Sequence, residues 1–180
     1  MPSLAPSLLV AVPQMQDPDF SRTVTLLLAS NAEGSFGLIL NRSSQIPLSE
    51  VCEQTNLLCS RDFTVRMGGP VERERAWVLY GPTMHDETSF KVGDNLYVTG
   101  SRQTLGHLAV SEERFQVFLG YAGWGPGQLE YELNEGSWLL STQVEPDLFF
   151  EYEGEAMWRE VIRAMGLDPG RIGVGGGGLH

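Results

Sequence analysis

The segment 120–130 (GYAGWGPGQLE) is the part of this chain whose residue types come nearest to chemistry. Glycines stand at 120, 123, 125 and 127, beside Tyr121 and Trp124 and just ahead of Gln128. A strand that ends in such a run and enters a helix leaves backbone N–H groups free at the positive end of the helix dipole, which suits an anion; the two aromatics suit a planar ligand. The same composition also serves a structural end, with glycines allowing left-handed turns and aromatics packing. Asn41 and Arg42, adjacent at the end of an expected strand, are the next candidates, either for a charged contact or for an ion pair with one of the many carboxylates. Gly68, Gly69 and Pro70 follow another strand and read as a tight turn. The candidate ligand or partner residues are Arg22, Asn41, Arg42, Gly69, Trp124 and Gln128. No catalytic residue, metal ligand or cofactor is assigned.

Other chemistries find little to use. His85, His107 and His180 stand apart, without His-x-His, His-Glu-x-x-His or a Cys-x-x-Cys pair. His85-Asp86-Glu87 is the one dense run of metal-ligand types, and adjacent loop residues seldom converge on a single ion. No serine lies in Gly-x-Ser-x-Gly, Ser35 has no partner visible in sequence, and no phosphate-binding glycine loop with Lys-Ser/Thr occurs. The pairs Glu72/Glu74, Glu130/Glu132 and Glu151/Glu153 would serve acid–base work only if burial split their pKa values, and they read as solvated faces.

The charge balance narrows the function further. The 180 residues contain 23 acids and 12 bases, a formal charge of -11, with 42% hydrophobic residues. Nucleic-acid binders rely on a surplus of Lys and Arg to neutralise phosphates, so direct nucleic-acid contact is not expected. The acidity is uneven: residues 1–110 hold 11 acids and 8 bases (net -3), and residues 111–180 hold 12 and 4 (net -8). The N-terminus lacks a basic start and an apolar stretch of signal length, and no apolar run approaches the ~20 residues that span a bilayer. Cys52 and Cys59 are too few for a disulfide framework. A soluble, cytoplasmic protein with reduced thiols is expected.

The elements that must position these residues follow from periodicity. Strands are expected over residues 7–12, 22–29, 36–40, 63–67, 76–80, 95–100, 115–121 and 138–141, with a hairpin from 22 to 40. Pro47 suits a first helical position, with Leu48, Val51 and Cys52 on the inner face. Ser101 caps a second helix that turns Leu105, Leu108 and Ala109 inward, and Pro126 opens a third that runs to Asn134. In the last, over 154–165, Met157, Trp158, Val161, Ile162 and Met165 share a face, with Glu155 and Arg159 paired outside. About four short helices scattered among strands make an α+β chain, one domain over residues 1–168, followed by a flexible glycine-rich tail over 169–180.

Several segments together resemble the AlgH/YqgE family of bacterial proteins. They are Pro13-x-Met15-x-Asp17-Pro18-x-Phe20-x-Arg22-Thr23-Val24, then Gly37-Leu38-x-Leu40-Asn41-Arg42, then Gly68-Gly69-Pro70-Val71, then 120–130, followed by Trp138 and Trp158. The resemblance covers residues 7 to about 168. It implies an α+β domain whose mixed or antiparallel, bifurcated sheet curls toward a barrel, in a cytosolic protein often labelled a transcriptional regulator, with no established catalytic residues to carry over. Ser43 stands where the family often has proline, and Tyr80 where it often has histidine.

The reading that results is a non-enzymatic binding or regulatory protein that acts through a protein or small-molecule partner, with any transcriptional effect indirect. An enzyme with a cleft near Arg42 and Trp124 is the alternative, and a structural subunit of an assembly the third.

Overall fold

The computed structural model describes residues 3–81 and 87–171. Its elements run β1 (Ser7–Ala11), β2 (Val24–Asn31), β3 (Gly34–Ile39), β4 (Ser43–Pro47), α1 (Leu48–Gln54), β5 (Thr64–Met67), β6 (Val71–Tyr80), β7 (Phe90–Gly93), β8 (Leu96–Thr99), α2 (Arg102–Ala109), β9 (Phe115–Trp124), α3 (Gln128–Asn134), β10 (Trp138–Ser141), α4 (Pro146–Glu151) and α5 (Gly154–Ala164). The sheet order is β10-β1-β2-β3-β9-β6-β8-β7, with β4 and β5 as a branch off β9. All pairings are antiparallel except β5 with β9. The whole is an α+β half-barrel, as the family resemblance implies.

Strand alternation explains why β1 is buried on both faces. Leu8 and Val10 enter the core that α4 and α5 cover, together with Val24, Leu26 and Leu28 of β2. Leu9 and Ala11 enter a second core with Leu27, Trp124, Leu129 and Trp138. A third core lies under α1 and α2, around Leu48, Cys52, Val65, Leu105 and Phe115. Helix α5 buries Met157, Trp158, Val161 and Ile162, each contributing about 1.5 to 3 kcal/mol over exposure. The Trp158 indole N–H also donates to the Ala11 carbonyl at 2.7 Å.

The sheet divides at one edge of β9. Residues 118–119 of that edge pair with β5 and residues 122–124 with β3, leaving Gly120 at the fork. Gly68 is wedged there: its N–H donates to Leu119 and its carbonyl accepts from Ile39. The backbones touch. A Cβ on Gly69 would sit 2.1 Å from the Tyr121 carbonyl carbon, and one on Gly120, whose φ is +77°, would sit 2.4 Å from the Gly69 oxygen. The Gly68-Gly69-Pro70 run is therefore the joint between two sheet halves as well as a turn.

The expected helices form, and α4, a six-residue turn of helix too short to show a period, makes a fifth. Strand β9 runs on to Trp124 instead of ending at Tyr121. Strands β4, with its alternating exposed polar residues, and the four-residue β7 also escape the periodicity. Ser101 caps α2 through its hydroxyl. Pro47 ends β4 as the residue before α1, and the cap comes from elsewhere: Asp62 accepts from the Ser49 N–H and hydroxyl. Those bonds, backbone first, hold the Asp62 carboxyl below its ordinary pKa. Among the described residues no helix is long and apolar enough to cross a membrane. Residues 172–180, most of the expected tail, lie outside the described residues.

Candidate functional site

The curl of the sheet opens a cleft of about 990 Å³, lined from β3, β6, β7 and β9. Its floor is a set of aromatic rings. Phe36 meets Phe90 at 5.6 Å and 77° and Tyr121 at 5.9 Å and 75°, while Trp77 meets Tyr121 at 6.5 Å and 81°. These edge-to-face contacts hold the rings in place without closing them over one another. Register explains the gathering: Gly123 pairs with Phe36 across the strands, so the small residue leaves the space above the rings open. Three charged side chains stand on the rim, Glu33, Glu72 and Arg75. The Arg75 guanidinium lies 4.4 Å from the centre of the Trp77 ring. The Tyr121 hydroxyl is pushed up in pKa by desolvation and then by its hydrogen bond to Glu72, with Arg75 opposing.

The residues singled out in sequence do not meet in one place. Trp124 lines the far end of this cleft. Arg42 and Gly69 line a smaller one of about 280 Å³, with Asp19, Met67, Pro70 and Arg73. Among the described residues Arg42 forms no carboxylate pair; its guanidinium donates to the carbonyls of Pro18 (2.9 Å) and Ser21 (3.0 Å). Arg22, in a left-handed conformation at φ +55°, pairs with Glu155 and lies over Trp158. Asn41 is buried and pins the start of α5: its amide N–H₂ donates to the carbonyls of Arg22 and Gly154, and its side-chain oxygen accepts from the Val24 N–H.

Gln128 belongs to a clamp on Glu132. The indole N–H groups of Trp124 and Trp138 both donate to Glu132 Oε1 (3.1 and 2.9 Å), and Gln128 Nε2 donates to Oε2 (2.9 Å). Gln128 Oε1 in turn accepts from the Gly125 N–H. The N–H groups expected to be free for an anion are thus partly taken, and α3 is only seven residues long. Glu132 is half-buried and not a freely solvated acid, because it accepts from two indole donors whose rings are buried.

Periodicity hid other polar residues. Arg66 is buried and donates to the carbonyls of Leu40, Phe149 and Tyr152, tying α4 to the end of β3. Desolvation lowers its pKa, with Glu153 opposing. Cys52 is buried in the core, as its helical position predicts; burial first and Cys59 second push its thiol up to about 12, so it is protonated near neutrality. Both cysteines are free. His85 and Asp86 lie outside the described residues, among which no three metal-ligating side chains gather. Arg75 and Trp77 are two apart on β6 and so share a face, as do Tyr121 and Gly123 on β9, but the expected strands, 76–80 and 115–121, stop short of Arg75 and Gly123.

Comparison with known proteins bears on the whole chain. A family model described as AlgH-like matches residues 8–170. A UPF0301 protein of Myxococcus xanthus is 38% identical over 181 residues, covering 98% of this chain and 99% of its own. One from Anaeromyxobacter dehalogenans is 37% identical over 189 residues, with 98% and 95% covered. The solution structure of the AlgH protein from Pseudomonas aeruginosa superposes with a TM-score of 0.78 at 32% identity, covering 92% of this chain and 90% of that one. A Corynebacterium diphtheriae crystal structure shares the fold, with a TM-score of 0.71 at 22% identity over 91% and 87% of the two chains. With the motifs in order along the chain and the forked half-barrel they build, the protein belongs to the AlgH-like, UPF0301 family.

Proposed function

We propose that this protein works by binding and not by catalysis, in the cytoplasm, and that its ligand seat is the aromatic cleft between β3, β6, β7 and β9. One observation carries the reading: a volume of about 990 Å³ floored by four rings in edge-to-face contact. Small-molecule sites are concave, mostly apolar and ~300 to 1,000 Å³, with a few polar groups that orient the ligand. Two groups that acid–base or nucleophilic chemistry could draw on are committed to the fold. Glu132 accepts from two indoles and an amide, and the Cys52 thiol is held protonated. Any regulatory effect then passes through the ligand or a protein partner, since a charge of -11 opposes contact with a phosphate backbone.

A neutral aromatic probe tests the seat. 2-Naphthylmethanol should bind saturably, shift the indole N–H resonance of Trp77, and lose about tenfold in affinity in Phe90→Ala, the equivalent of removing one good aromatic contact. Binding that Phe90→Ala leaves unaltered, or no saturation with the protein folded, would rule the cleft out as the seat.

A further inference from the structure

The rim of the aromatic cleft carries information about its ligand that the rings alone do not. Arg75 extends from β6 onto the face of Trp77, its guanidinium carbon 4.4 Å from the ring centre. A Cβ on Gly100 would sit 3.3 Å from its Nη2 and 3.5 Å from Trp77 Cζ3. The guanidinium therefore lies over the Trp77 ring in room that Gly100 leaves open. Among the described residues no carboxylate lies within ion-pairing distance of it, although other arginines of the chain find Glu155, Asp147, Glu160 and Asp168. A stacked guanidinium still directs its N–H groups outward in its own plane, and that planar fork matches the two oxygens of a carboxylate.

We infer that the cleft takes a flat, apolar molecule that ends in a carboxylate, with the carboxylate on the Arg75 fork and the apolar body against Phe36, Phe90 and Tyr121. The inference rests on the proposal that the cleft is the ligand seat. The acidity of the whole molecule does not decide against an anion there, because at physiological salt exposed charges farther than ~8 Å are largely screened, so the contacts within the cleft dominate. Glu33 and Glu72 share the rim, which makes a cationic counterpart the decisive comparison.

The experiment is calorimetric titration of the full chain with naphthalene-2-carboxylate, 2-naphthylmethanol and 2-naphthylmethylammonium, in the parent protein, Arg75→Gln and Arg75→Lys. The carboxylate should bind about tenfold more tightly than the alcohol, the gain of one charge-assisted hydrogen-bonded pair at a half-open site. Arg75→Gln should shrink that preference to within about twofold, and Arg75→Lys should leave it in between, keeping the charge without the fork. Arg75 is exposed, so the variants should fold, which thermal unfolding checks. Equal binding of all three probes, or tightest binding of the ammonium, overturns the carboxylate inference and leaves the seat intact. Failure of every probe to bind overturns both.

Discussion

Glu132 shows how one residue can mean something different in sequence and in structure. Two residues from Glu130 on a short acidic stretch it reads as a solvated side chain, yet in the fold it accepts from the indoles of Trp124 and Trp138 and from Gln128. Nothing in the local pattern announces this, because the donors come from β9 and β10 and meet only when the second core forms. Glu132→Ala should cost about 2 to 4 kcal/mol in urea denaturation, since it strands two indole donors whose rings are buried. Glu132→Gln should cost clearly less, because its side-chain oxygen can still accept from both indoles. Equal losses in the two variants would mean that the clamp contributes little. Arg42 offers the opposite lesson. Its position at a strand end was readable, but its partners are backbone carbonyls of the 18–21 loop, which no charge pattern encodes.

At the scale of elements, the glycines of β9 and of the β5–β6 connection gain a specific role. Gly120 adopts a left-handed conformation at the fork, where β5 and β3 take successive stretches of the same strand edge. An alanine there meets two penalties, about 1 to 2 kcal/mol for the left-handed backbone and a further cost because its Cβ would fall 2.4 Å from the Gly69 oxygen. Gly136 has the same φ of +77° with nothing within 4 Å, so Gly136→Ala isolates the first penalty. Chemical denaturation should therefore show Gly120→Ala losing more than Gly136→Ala by at least about 2 kcal/mol. Similar losses would show that the fork tolerates separation of its strands. Helix α1 shows the same dependence on remote parts: its own preceding residue, Pro47, provides no side-chain cap, and Asp62 supplies one from the far side of a loop.

For the whole molecule, the charge of -11 remains the firmest guide to partners, with -8 of it after residue 110. Duplex DNA should show no mobility shift with this protein at physiological salt; a shift that Arg42→Glu and Arg22→Glu abolish would reverse that conclusion. The amino-acid sequence by itself determined the α+β class, the inward faces of α1, α2 and α5, the burial of Cys52 and the family, because amphipathic periods and ordered motifs are properties of contiguous residues. Only the tertiary structure decided which residues share a site. Phe36, Trp77, Phe90 and Tyr121 lie on four strands, and their meeting depends on register and sheet curl. The expected set from Arg22 to Gln128 is dispersed for the same reason, since Arg42 lines a separate cleft while the Trp124 indole packs beside Trp138 in the second core. Local pattern specifies which face of an element is buried, whereas long-range strand pairing specifies what that face meets.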